Sequence, residues 1–203
     1  MRCLQLPRSR SAPRSARPYG PLVFFLAALA LLVVPAIGSA ATGFTERVAS
    51  ARWATDFQCP DGSTAADGRL IVETDNFIDA GTTPNPTPPL RVGFTGQCPD
   101  GTFSWGFTQP APTHFAPSLH RTVTVSGTFT GVQDNRGGTH TVSVDARWRG
   151  AGPIETTVNA PGSTRRERAA NARAKVIFDG NTLVRGESNF PFPAPFMRVD
   201  RER

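Results

Sequence analysis

The sequence predicts an all-β fold: an antiparallel meander of about eight strands closing as a barrel, with a β-sandwich as the alternative, and one disulfide. Three observations carry this. Period-two alternation fills the middle of the chain, no helical periodicity is sustained for three turns, and Pro, Gly, Asn and Asp cluster between the alternating runs.

Taken in order, residues 44–57 place Ala49, Ala51, Trp53, Thr55 and Phe57 on one side. Residues 69–77 begin as a Leu-Ile-Val run and then alternate. Residues 90–97 and 102–109 read as two strands joined around Cys98, the second with Phe103, Trp105 and Phe107 on one face. The firmest hairpin follows. In residues 121–132, Val123, Val125, Phe129, Gly127 and Gly131 face one way, and Thr122, Thr124, Ser126, Thr128 and Thr130 the other. Residues 133–138 are turn formers. Residues 139–149 then set Val142, Val144, Ala146 and Trp148 against Thr141, Ser143, Asp145, Arg147 and Arg149. A second hairpin spans residues 172–185, with Asp179-Gly180-Asn181 supplying the positive φ angles of a tight turn. Just before it, residues 166–174 contain good helix formers, and a short helix is the alternative there. Proline cannot occupy a central strand, so 84–89, 110–117 and 191–195 are expected to be loops or edge coverings. The last of these, with Phe190, Phe192 and Phe196, is expected to lie on the surface or fray.

Residues 1–40 read as a signal peptide. Arg2, Arg8, Arg10, Arg14 and Arg17 precede an apolar run over 22–34, Pro35 ends it, and small residues follow. Gly38 and Ala40 suit the peptidase pocket, which puts the cut between Ala40 and Ala41. The run of 13 residues is short of the roughly 20 a spanning helix needs. The expected product is one secreted β domain over 41–203, with Pro-rich loops and a C-terminal tail. It touches a membrane only through the signal before cleavage.

That processing changes the meaning of the charge. The full chain carries 22 bases and 16 acids, a net +6. Five bases and no acid precede residue 41, so what remains is 17 against 16, a net +1. Nucleic-acid binders show a strong basic excess, and nucleic acid is excluded as a partner. The local cluster Arg165, Arg166, Arg168, Arg173 and Lys175 reads as a solvated polar segment rather than a polyanion site. Lys175 is the only lysine, as in proteins from G+C-rich genomes. Signal and composition together resemble those of small exported bacterial proteins, a likeness that transfers no functional residue.

Cys3 leaves with the signal, so Cys59 and Cys98 are expected to pair. Their bridge closes a loop of about 40 residues, worth about 3–4 kcal/mol in chain entropy. Both cysteines sit in an internal echo: residues 58–62 recur as 97–101, and Ser63 is matched by Thr102. Pro-Asp-Gly is a strong turn former, so two similar turns held by the disulfide are expected. The alternative, a Ca²⁺ or ligand loop built on Asp61 and Asp100, has too few carboxylates.

No GxSxG, HExxH, P-loop or GxGxxG motif occurs. His114 and His120 fall in or beside a Pro-rich loop, and His140 is read on the polar face of its strand. Their spacing predicts no metal site, and no cofactor is expected. Trp53, Trp105 and Trp148 each fall on the apolar face of a strand, where core filling is the plain reading. Around a void they would instead line a pocket. The sequence therefore points to a non-catalytic binding module for a small apolar ligand, a glycan or a surface partner. One alternative is a small extracytoplasmic enzyme using His140, Asp145 or Glu73. The other is a cell-envelope protein with an apolar patch around residues 190–196.

Overall fold

The computed structural model describes residues 43–116, 121–190 and 192–202. The proposed signal and its Ala40–Ala41 cleavage point lie outside these residues, as does His120. Among the described residues there is no helix. Eleven strands run in chain order: β1 (Phe44–Ala54), β2 (Ala66–Asp79), β3 (Pro89–Cys98), β4 (Gly101–Pro110), β5 (Thr113–Phe115), β6 (Thr122–Gln133), β7 (Thr139–Gly150), β8 (Glu155–Ala160), β9 (Ser163–Phe178), β10 (Asn181–Glu187) and β11 (Phe196–Glu202). All pairings are antiparallel, in the order β4-β3-β2-β1-β11-β9-β7-β6-β5, with β8 and β10 also on β9.

β9 is the spine of this sheet. Successive peptides of a strand point to opposite edges, and β9 shows which neighbour lies on which. Ala169 O accepts from Ala151 N on one edge; Ala170 N donates to Pro195 O, and Ala172 O accepts from Ser188 N, on the other. So β7 and β8 line one edge in succession, while β10 and β11 line the other. Irregular segments separate the flanking strands: 151–154 on one edge, and on the other 188–190 and 192–195, which contains Pro193 and Pro195.

The strand count and the tail differ from expectation. Residues 166–174 are strand throughout, within β9, rather than a short helix. Phe196–Glu202, expected in a surface tail, is instead a central strand between β1 and β9. The meander holds for β1 to β4, for β5 to β7 and for β8 to β10, but β11 returns to the middle and breaks it. The two hairpin turns follow the sequence, with Asp179 and Gly180 at φ 47° and 82°. Gly131, at φ 75°, sits in a β-bulge where the β6–β7 register shifts between Thr130 and Val132.

No ladder joins β4 to β5, so the sheet is not closed. Its ends still meet at the β6–β7 turn, where Trp105 and Asp134 form an isolated bridge. Asn135 reinforces that bridge. Its backbone N donates to Ser104 O, its Oδ1 accepts from Ser104 N, and its Nδ2 donates to Thr102 O.

Alternation then puts one face of every long strand inside. Leu70, Val72, Leu90, Val142, Val176 and Trp148 are fully covered there. At the disulfide end Phe57, between β1 and β2, stacks 4.8 Å from Phe103 and packs on Phe94 and Phe178.

Candidate functional site

An open cleft of about 890 Å³ lies on the outer face of β2, β3 and β4. Strand register builds its floor as a grid. One row runs Arg69–Thr95–Ser104, the next Arg52–Ile71–Gly93–Gly106, and Gln97 pairs with Thr102 beyond them. Gly93 and Gly106 face each other across the β3–β4 hairpin, and neither adopts a positive φ. Their backbone does not demand glycine; the missing side chains keep the floor low and leave strand backbone open to a close approach. One wall carries Phe190, with the Arg69 guanidinium 5.4 Å over its ring. The opposite wall is the β6–β7 turn, Gln133 to Asn135. The lining thus combines hydroxyls, amides, two guanidiniums and the carboxylates of Asp67 and Asp134 with an apolar part from Leu70, Ile71, Phe94, Trp105 and Phe190.

Next to it the two Pro-Asp-Gly turns meet. Cys59 and Cys98 are bonded. Asp61 Oδ1 accepts from the Ser63 N–H and hydroxyl, which hold its carboxyl below the usual range. Arg136, from the β6–β7 turn, reaches Asp100 through both terminal nitrogens at 2.6 and 2.7 Å, and lies 5.4 Å over the Phe103 ring. Asp100 is held low chiefly by that pair. A guanidinium therefore occupies the position the sequence offered to a cation. Among the described residues no group of three His, Cys, Asp or Glu side chains could hold a metal ion.

His140 shares strand parity with Val142 and Val144, so it lies on the inner face rather than the polar one. Its Nδ1 is 2.7 Å from Asp179 Oδ2 and its Nε2 2.9 Å from Asp134 Oδ2. Its ring packs on Phe178, centroids 4.5 Å apart. Burial alone would lower the His140 pKa, but the two carboxylates overrule it and raise it. Asp134 is lowered chiefly by the bond to His140, and its Oδ1 also accepts from Arg136 N and Gly138 N. Burial raises Asp179, but the Thr141 N–H and His140 outweigh it, and the net shift is down. With both ring nitrogens engaged by carboxylates, His140 is a structural clasp with neither nitrogen free for a substrate or metal.

The other residues singled out by the sequence fall apart in space. Glu73 bonds Arg91 at 3.1 Å on the outer face. Asp145 is exposed on β7, opposite Ser126 and Lys175. His114 is exposed on β5. The three tryptophans are all buried on the inner face. Trp53 Nε1 donates to Gly186 O, and Trp105 stacks on Phe178 at 5.1 Å. Trp105 contributes to the cleft wall, whereas Trp53 and Trp148 do not line it.

The cleft residues Arg52, Arg69, Gly93, Gly106 and Asn135 were not expected. One signal in the sequence could have found two of them: Gly93 and Gly106 are equidistant from the Cys98–Gly101 turn, both on the outward parity. No protein-family model, curated protein or solved structure matches the chain.

Proposed function

We propose that the protein works outside the cytoplasm as a non-catalytic binding module, and that a glycan lies in the cleft over β2 to β4. The observation that carries this is the lining: rows of hydroxyl, amide and guanidinium groups, fixed by strand pairing, over a floor lowered by Gly93 and Gly106. Sugars present hydroxyls of both hydrogen-bonding senses and small apolar faces, which this lining can match. The enclosed His140 and the scattered acids argue against catalysis. The signal pattern and the Cys59–Cys98 bridge support export from a bacterial cell. The Trp105–Asp134 bridge supports a sheet that curls toward barrel closure.

The test is a microarray of neutral, uronate-bearing and amino-sugar glycans probed with the oxidised protein. Binding to a discrete glycan group is expected. Thr95→Trp, which fills the exposed middle of the floor, should weaken it at least about tenfold with an unchanged melting temperature. Binding unaffected by this variant, or none at all, sinks the reading.

A second reading has one observation of its own. Phe192 and Val158 are 81 % and 69 % exposed, and Ile154 is partly so. A contact surface there favours a surface partner.

A further inference from the structure

At the far end of the inner face from the disulfide, the sheet sorts its charges by side. Register places Arg47 (β1), Arg201 (β11), Arg166 and Arg168 (β9) on the inner face. Their row neighbours on that face are Asn76, Val199, Met197, Thr45, Thr164 and Thr156, with no acid among the described residues. The acids of the intervening rows, Glu46, Asp75, Glu167, Asp200 and Glu202, lie on the outer face. There Arg165 and Arg198 bond Asp200 at 2.9 and 2.7 Å. The pentad Arg165 to Lys175 is thus divided by strand alternation: Arg165, Arg173 and Lys175 face out, Arg166 and Arg168 in.

Two polar atoms on this face lack partners. Arg47 Nε is buried and has no hydrogen-bond partner, and neither has Oδ1 of Asn76, the residue directly opposite it. Asn76 is only 2 % exposed, and its Nδ2 is already committed to Asn85 O. Burial and the nearby Arg201 both depress the Arg47 pKa. Neither Arg47 nor Arg201 forms an ion pair with a described acid. Arg168 Nε is held by Gly152 O at 2.8 Å, which fixes its position on the face. A void of about 10 Å³ beside Arg47, bounded by Phe115, Thr122, Met197 and Val199, has room for one oxygen-sized group. Gathering like charges on a half-buried face is costly unless something neutralises them.

We propose that this arginine end binds an oxyanion, a phosphate or carboxylate group, with one oxygen directed at the Arg47 guanidinium and the rest held at the mouth by Arg201. The Asn76 amide then takes the ligand's hydroxyl or a bridging water. The site is distinct from the glycan cleft and does not depend on it.

The test uses the oxidised protein in thermal-shift and calorimetric titrations with sodium phosphate and with sodium galacturonate, against sodium chloride at matched ionic strength. One or both oxyanions should raise the melting temperature above the chloride reference. Phosphate alone identifies a phosphoryl ligand and galacturonate alone a carboxylate. Arg47→Met and Arg201→Gln should each weaken binding at least about tenfold, while Thr95→Trp in the cleft should leave it intact. Without anion, Arg47→Met should be at least as stable as the parent, because it removes a buried, unneutralised charge and keeps the stem. The proposal fails if neither anion exceeds chloride, if both arginine variants keep the response, or if anion-free Arg47→Met is destabilised.

Discussion

The two ends of this sheet handle charge in opposite ways. At the disulfide end His140 lies between Asp134 and Asp179, and Arg136 pairs with Asp100. Phe57, Phe94, Phe103 and Phe178 pack beside them. At the other end the inner face gathers arginines and sends the acids outward. Both ends are built by the same strands with the same alternation. What differs is which side chains the inward parity carries. One end pairs its charges within the chain, and the other leaves Arg47 Nε and Asn76 Oδ1 without a hydrogen-bond partner.

This contrast can be broken from its finished end. The largest effect is expected from Phe57→Ala, which removes the ring shared by three aromatic neighbours. A loss of about 3–5 kcal/mol should appear in denaturant melts. Removing the bridge with Cys59→Ala and Cys98→Ala together should cost about 3–4 kcal/mol, because the loop constraint leaves the unfolded chain. For a chain of this size that is a drop of roughly 6–16 °C in melting temperature.

The His140 clasp gives a signed pH dependence. Its pKa is raised in the fold, so its contribution is complete below the unfolded value, about 6.5, and is lost as pH rises through the folded value. The lowered Asp134 and Asp179 contribute above about 4 and lose that contribution as pH falls through their folded values. Stability should therefore peak between these limits and decline as pH rises through the folded His140 value. In His140→Gln the alkaline decline should flatten, and a slope unchanged by the variant would show that the clasp is neutral. The smallest effect belongs to the exposed Arg91–Glu73 pair: Arg91→Ala should change stability by less than about 1 kcal/mol in the same melts.

The same charge pattern decided what could be read from the sequence. β6, β7 and the second half of β9 alternate apolar with polar, and their residues announce them. The first half of β9 also alternates in space, but its inward residues are Arg166 and Arg168, so no hydrophobic period appears. That is why residues 166–174 resembled a helix. β8 is exposed at all six positions and carries no pattern either. His140 was assigned to the wrong face because its polarity outweighed its parity with Val142. The two Pro-Asp-Gly turns and the disulfide were legible because turn chemistry is local. The cleft was not, because it takes three strands and a distant turn to assemble.

β11 follows every other described strand, yet it pairs with β1 on one edge and β9 on the other. Until it arrives, β1 to β4 lack the ladder that ties them to the β9 half, and the inner surfaces of both halves stay unsealed. A chain emerging amino end first would remain loosely organised until β11 emerged. A chain stopped at Pro195 should accordingly stay sensitive to protease under conditions where the longer chain resists it. β11 acts as the latch, and the order of synthesis sets when it closes.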